Sequence, residues 1–192
     1  MDIKFFNPIA IAKVYVPADV LSKINQLSVD LFKTSATSID YPYSDLTLRG
    51  GEQRRVLPSA EDRQWLSEWI EQHALEYYTQ SQEYAKLTPK LANCWTITQP
   101  ANSYQVTHTH PNGDISGNLY LEVPDLNPNS AETDCCISFQ FGQSPNPSHV
   151  QFAHIKPAVG MMLIFPSWLP HQVYPWQGTG TRRVLAWDCK LG

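Results

Sequence analysis

This chain is poor in charge, poor in cysteine and free of long apolar runs. Charged residues make up 17% of its 192 residues, and 14 Lys and Arg against 18 Asp and Glu leave a formal net charge of -4. That balance supplies no general attraction for nucleic acid or an anionic membrane surface, so neither is expected as a partner. No stretch is apolar enough to span a bilayer. Residues 1–8 lack both the basic start and the apolar centre of a secretory signal. The four cysteines, Cys94, Cys135, Cys136 and Cys189, include no Cys-x-x-Cys pair, which argues against a zinc–thiolate site. Cys135 and Cys136 would face opposite sides of a strand. All four read as reduced thiols of a cytoplasmic protein. No repeat or low-complexity tract divides the sequence, so residues 1–192 are expected to form one domain around a sizeable core.

What is present changes character near residue 90. The helical half, about 1–90, begins with Pro17 and Asp19 ahead of Val20, Leu21, Ile24, Leu27 and Leu31, a helical spacing. From Leu31 to Pro58 periodicity is lost through Tyr41-Pro42-Tyr43 and Gly50-Gly51, which suits a binding loop or lid. Ser59 then caps a second helix, whose stripe of Trp65, Leu66, Trp69, Ile70, His73, Ala74 and Tyr77 reads as core packing. From about 91 to 192 the pattern becomes short runs between turns. These runs are Leu91 to Thr98, Tyr104 to Thr109, Ile115 to Val123, Cys135 to Phe141, Val150 to Ile155, Met161 to Phe165, Gln172 to Tyr174 and Thr181 to Cys189. Short strands at that spacing predict a mainly β fold, a jelly-roll core with the N-terminal helices packed outside, Trp65 and Trp69 against one sheet.

The strand-rich half carries the chemistry. His108-Thr109-His110 places two imidazoles on one side of an extended segment, because strand side chains alternate with period two. His171, at the end of Phe165-Pro166-Ser167-Trp168-Leu169-Pro170-His171, can complete one face of a metal. Non-haem iron oxygenases need such a face with open positions, commonly built from two histidines and a carboxylate. Arg182 and Arg183 follow, and a guanidinium grips a carboxylate co-substrate through two parallel hydrogen bonds. Alternation puts Arg182, Val184 and Ala186 on one face and Arg183, Leu185 and Trp187 on the other. His149 and His154 read as bystanders. Trp168, Tyr174 and Trp176 suit either a substrate mouth or the core.

Several words of the latter half resemble the double-stranded β-helix dioxygenases that use 2-oxoglutarate and Fe(II), and more narrowly a small bacterial and phage family of such oxygenases. They are Trp95, Gln105 to Pro111, Ser116-Gly117-Asn118-Leu119-Tyr120-Leu121, Pro157 to His171, and Arg182-Arg183-Val184-Leu185-Ala186-Trp187-Asp188. The resemblance implies a hydroxylase with Fe(II) and 2-oxoglutarate as cofactors, acting on a peptide or small molecule. It implies His108, His110 and His171 as the iron face, with His110 where many relatives carry Asp, and Asp114 as the alternative carboxylate ligand. It selects Arg182 for the far carboxylate of 2-oxoglutarate, six residues before the Asn-like position held by Asp188, and keeps Arg183 as the alternative. Tyr120 or Ser116, with Tyr104 as a further alternative, would add a hydroxyl to that carboxylate.

Two other classes fit part of the pattern. A cupin barrel also uses three histidines on a metal, but its second word expects a histidine sooner after Pro-x-Gly than His171 follows Gly160. A non-catalytic jelly-roll binding module would use the aromatics as platforms and leave the histidines incidental. Oligomeric state is open.

Overall fold

The computed structural model describes residues 1–6, 9–34, 47–55, 60–82, 86–142 and 151–192. Tyr41-Pro42-Tyr43, Ser59, His149, Val150 and most of the expected lid lie outside them. The elements run β1 (Asp2–Phe6), β2 (Ile9–Tyr15), α1 (Ala18–Thr34), β3 (Leu48–Arg49), β4 (Glu52–Arg55) and α2 (Ala60–Ser81). They continue with β5 (Pro89–Gln99), β6 (Tyr104–His108), β7 (Ile115–Glu122), β8 (Asp125–Leu126), β9 (Ile137–Phe141) and β10 (Gln151–Ile155). The chain closes with β11 (Met161–Pro166), β12 (His171–Val173), β13 (Gly178–Thr179) and β14 (Arg182–Leu191).

Two antiparallel sheets form the jelly roll. The larger has the order β1-β2-β11-β7-β14-β5-β4, and the smaller β10-β9-β12-β6-β3. The larger sheet is covered on both faces, so its central strands β11, β7 and β14 are buried at nearly every position rather than alternating between buried and exposed. On β11, Met162 and Ile164 join the outer core with Ile24 of α1 and Leu66, Ile70, Ala74 and Tyr77 of α2. Met161, Leu163 and Phe165 point the other way, into the inner core with Ile137, Phe139 and Phe141 of the smaller sheet. β14 divides likewise, Leu185 and Trp187 outward and Val184 and Ala186 inward.

The helices lie on the outer face as expected. Trp65 and Trp69 stack with ring centroids 6.5 Å apart and pack against the outer core, and the Lys23 ammonium sits 3.7 Å from the Trp65 ring. The Tyr77 hydroxyl donates to the Ala10 carbonyl at 3.0 Å, fixing α2 to β2. His73 is a packed histidine, its Nδ1 bonded to the Trp69 carbonyl at 2.8 Å.

Two features differ from the sequence reading. Among its described residues the first half holds four strands as well as helices: β2 pairs with β11, β4 with β5, and β3 with β6. Cys135 and Cys136 precede β9 in a turn where Cys135 has φ of 64°; all four cysteines are free and buried. Gly160 has φ of 79°, a left-handed conformation that glycine adopts without steric cost and that lets the chain enter β11.

Candidate active site

β6 and β12 are antiparallel neighbours in the smaller sheet, and their register places His171 directly opposite His108. The two rings are 4.3 Å apart between centroids. The chain leaves β6 after His108, and the His110 amide donates to the Ser167 carbonyl at 2.8 Å. This tether returns the third ring to the pair, 5.4 Å from His108 and 5.1 Å from His171. One ligand atom from each histidine lies within 4.8 Å of the others. Nitrogens bound at about 2.1 Å on one face of an ion lie about 3.0–3.4 Å apart, so the rings must draw together by up to roughly 1.8 Å to share an ion.

The outer nitrogens fix which inner nitrogen is free. His108 Nδ1 lies 2.7 Å from the Val106 carbonyl oxygen, and His171 Nδ1 lies 2.9 Å from that of Leu169. A carbonyl only accepts, so both Nδ1 atoms carry hydrogen and both Nε2 atoms keep their lone pairs. His110 Nδ1 instead bonds Asp188 Oδ1 at 2.7 Å. That oxygen also accepts from Ser116 Oγ at 2.6 Å, and Ser116 Oγ is 2.8 Å from Ser167 Oγ. Burial, helped by the neighbouring His110, holds His108 down to about 4 and drives His171 well below the usual histidine range. Both imidazoles are therefore neutral at pH 7, the form that binds a metal. Phe165 meets His171 edge-on at 4.9 Å and Phe139 lies at 5.8 Å, which supplies the dry wall behind that shift.

The three rings line a cleft between the sheets with a cavity volume of about 150 Å³. Trp95, Ile97, Asn118, Ile137, Val184 and Ala186 line it too, and its only charged lining residues among those described are Arg182 and Asp188. Arg182 is 2% exposed and donates to Gln99 Oε1, its cross-strand partner. Its guanidinium lies 5.1 Å from the ring of fully buried Tyr120. Among the described residues no carboxylate pairs with Arg182. Its Nε, the Gln99 Nε2 and both amide atoms of Asn118 are buried without a well-formed hydrogen bond. A buried cation beside unmet polar groups is costly and calls for an anion, which a dicarboxylic co-substrate provides.

The expected residues are placed as follows. His108, His110 and His171 come together. Arg182 enters the cleft with Tyr120 beside it. Arg183 turns outward and is buried rather than a surface cation, bonded to Glu122 at 2.7 Å, Ser28 at 2.8 Å and Asn25 at 2.8 Å. Ser116 does not line the cleft near Arg182. It is four residues from Tyr120 on one strand, about 13 Å at ~3.3 Å per residue, and its hydroxyl is engaged with Asp188. Asp114 is drawn away from the histidines, because its carboxylate accepts the Leu191 amide at 2.9 Å. Trp176 is buried and Trp168 is 60% exposed, and neither lines the cleft. His154 is exposed on β10, its ring 6.0 Å from that of Phe152. Sequence reasoning missed Gln99, Asn118 and the role of Asp188 under His110. The carboxylate Asp188 at an Asn-like position was the one available signal.

A family model described as "Putative 2OG-Fe(II) oxygenase" matches residues 93–188. No curated protein matches the chain by sequence. Among solved structures, a Pseudomonas putida prolyl-4-hydroxylase is 17% identical with a TM-score of 0.61, over 95% of this chain and 93% of that one. A prolyl hydroxylase from Trichoplax adhaerens, solved with a hypoxia inducible factor peptide fragment, is 17% identical with a TM-score of 0.63, over 93% and 82%. A viral collagen prolyl hydroxylase from Paramecium Bursaria Chlorella virus-1, solved as a 2OG complex, is 13% identical with a TM-score of 0.59, over 94% and 96%. These likenesses show the shared fold.

Proposed function

Since the chain belongs to the 2OG-Fe(II) oxygenase family and is an oxygenase of that kind, we propose that it hydroxylates a C–H bond of an uncharged peptide or small molecule. Fe(II) and 2-oxoglutarate supply the chemistry when bound: dioxygen gives one oxygen atom to succinate and one to the product hydroxyl, and the co-substrate's C1 carboxylate leaves as CO2. His108, His110 and His171 hold the iron through Nε2. Three protein ligands leave positions open for co-substrate and oxygen. Arg182 receives the far carboxylate, with Gln99 fixing the guanidinium and Asn118 and Tyr120 beside it. The dry aromatic wall of Phe139 and Phe165 keeps water from the reacting centre.

The observation that carries this reading is the pairing, in one cleft, of three convergent histidines with a buried arginine that has no anionic partner among the described residues. It favours the oxoglutarate oxygenase over the cupin and the binding module, since neither needs the arginine. An uncharged substrate is supported by the lining. Besides Arg182 and Asp188, its polar members include the histidines, carboxamides such as Gln53 and Asn112, and the hydroxyls of Thr47 and Thr109. A peptide suits such a wall, and the Trichoplax adhaerens neighbour was solved with one. The four free cysteines support a cytoplasmic setting, and among the described residues no helix is long and apolar enough to cross a membrane. On this reading residues 1–192 act as one domain.

The test is anaerobic loading with Fe(II), titration with 2-oxoglutarate, then admission of oxygen and measurement of succinate. Binding followed by slow succinate release without added substrate is the expected result. An iron-loaded protein that does not take up 2-oxoglutarate would end the reading.

A further inference from the structure

The three ligands proposed above are all neutral, so the iron face lacks the negative charge that a carboxylate ligand contributes in a two-histidine, one-carboxylate site. The structure contains a carboxylate one step further out. Asp188 is 4% exposed, and its Oδ1 is bonded to His110 Nδ1 and to Ser116 Oγ. Gly113 closes over this group: a Cβ there would fall 3.0 Å from Asp188 Cβ and 2.8 Å from Ser167 Oγ. A buried carboxylate is retained only where its partners compensate for lost water. Here one partner is the ring whose other nitrogen faces the metal position.

We infer that Asp188 is a positioning residue that returns the missing charge to the iron through the His110 ring. The inference rests on the three-histidine reading. By accepting the Nδ1 hydrogen, Asp188 holds His110 in the tautomer with a free Nε2 and pushes electron density toward that nitrogen. Carbonyls do the orienting for His108 and His171, but they carry no net charge. His110 is thus the strong donor of the set, and it sits where a carboxylate ligand would otherwise stand. Ser116 aims the carboxylate by donating to the same Oδ1, and Ser167 holds Ser116 in turn, its Oγ 2.8 Å from Ser116 Oγ.

Asp188→Asn separates charge from shape, because the amide keeps an oxygen to accept from His110 and fits the same space. Asp188→Ala removes both. Wild type, both variants and His171→Ala are titrated anaerobically with Fe(II) by calorimetry, and each is melted with and without the metal. The expected result is a 10–100-fold weaker Fe(II) affinity in Asp188→Asn, in line with the loss of an outer partner of a metal-bound histidine. Its metal-free melting temperature should match wild type while its metal-induced rise shrinks. Asp188→Ala should bind more weakly still. Unchanged Fe(II) affinity in Asp188→Asn overturns the inference, as does a lowered metal-free melting temperature with an undiminished metal-induced rise. Absent binding in wild type, or unchanged binding in His171→Ala, overturns the metal reading itself and the inference with it.

Discussion

Arg182 and Arg183 are chain neighbours whose guanidinium groups lie on opposite faces of one strand. Arg182 faces the cleft and contacts Gln99, whereas Arg183 faces α1 and is matched by Glu122, Ser28 and Asn25. The two should therefore fail differently. Arg182→Ala should leave Fe(II) affinity intact and weaken 2-oxoglutarate by about 2–5 kcal/mol, the usual loss when one side of a desolvated charge pair is removed. Calorimetry on iron-loaded protein measures it, and unchanged affinity would exclude Arg182 as the anchor.

Arg183→Ala should act on stability instead. It leaves Ser28 and Asn25 without a buried donor at a cost of about 1–3 kcal/mol, while the half-exposed Glu122 regains water. A lower urea midpoint with unaltered 2-oxoglutarate affinity is the expected pair of results. The reverse pair would exchange the two roles.

His171 should be the least replaceable ring. It is buried and paired directly with His108, so His171→Ala removes a ligand where no other described side chain can move in. Anaerobic calorimetry should detect no Fe(II) binding to this variant at concentrations that saturate wild type. Retained tight binding would mean that the metal is held elsewhere.

The metal-free protein should lose stability as pH falls from about 6.5 toward 4. In the unfolded chain these histidines protonate near 6.5, but folded His108 resists until about 4, and burial holds His171 well below the usual histidine range too. Across that window the unfolded state binds more protons, so its free energy falls relative to the folded state. Above pH 7 both states are neutral at these rings and the effect vanishes. Melting of chelator-treated wild type at several pH values, beside His108→Leu, tests this: the variant should decline less steeply. Equal declines would show that His108 titrates normally.

Gly117 should not tolerate a methyl group. A Cβ there would lie 2.1 Å from Cζ2 of the fully buried Trp187 indole. Gly117→Ala must displace that ring, and overpacking of this kind costs about 1–3 kcal/mol. Thermal denaturation should register the loss. An unchanged melting temperature would mean that the ring moves freely.

The strands of the second half were legible because their apolar runs end at turn residues, and the site histidines because their words are local. β2 was not legible: Ala10, Ile11 and Ala12 are all buried, so no alternation marks a strand. β3 and β4 are too short to leave a pattern. Within the site, Gln99 reaches Arg182 and Asp188 reaches Ser116 only through cross-strand register. Pairing between residues dozens of positions apart leaves no trace in either local segment. Asp114 illustrates the converse, since a carboxylate close in sequence to His110 is turned toward Leu191 by its loop.

β14 carries Arg182 at one end of its inward face and Asp188 six residues along it, and it is paired with β5 on one side and β7 on the other. A strand held on both edges cannot slide, and a slip by one residue would turn every inward group outward. β14 is thus a ruler. The span from the arginine to the carboxylate behind His110 is set by peptide geometry rather than by any loop. Remodelling the loops at the mouth can change what enters the cleft but leaves that span untouched; on the proposed reading, the length of diacid the cleft accepts is written into the sheet rather than into its loops.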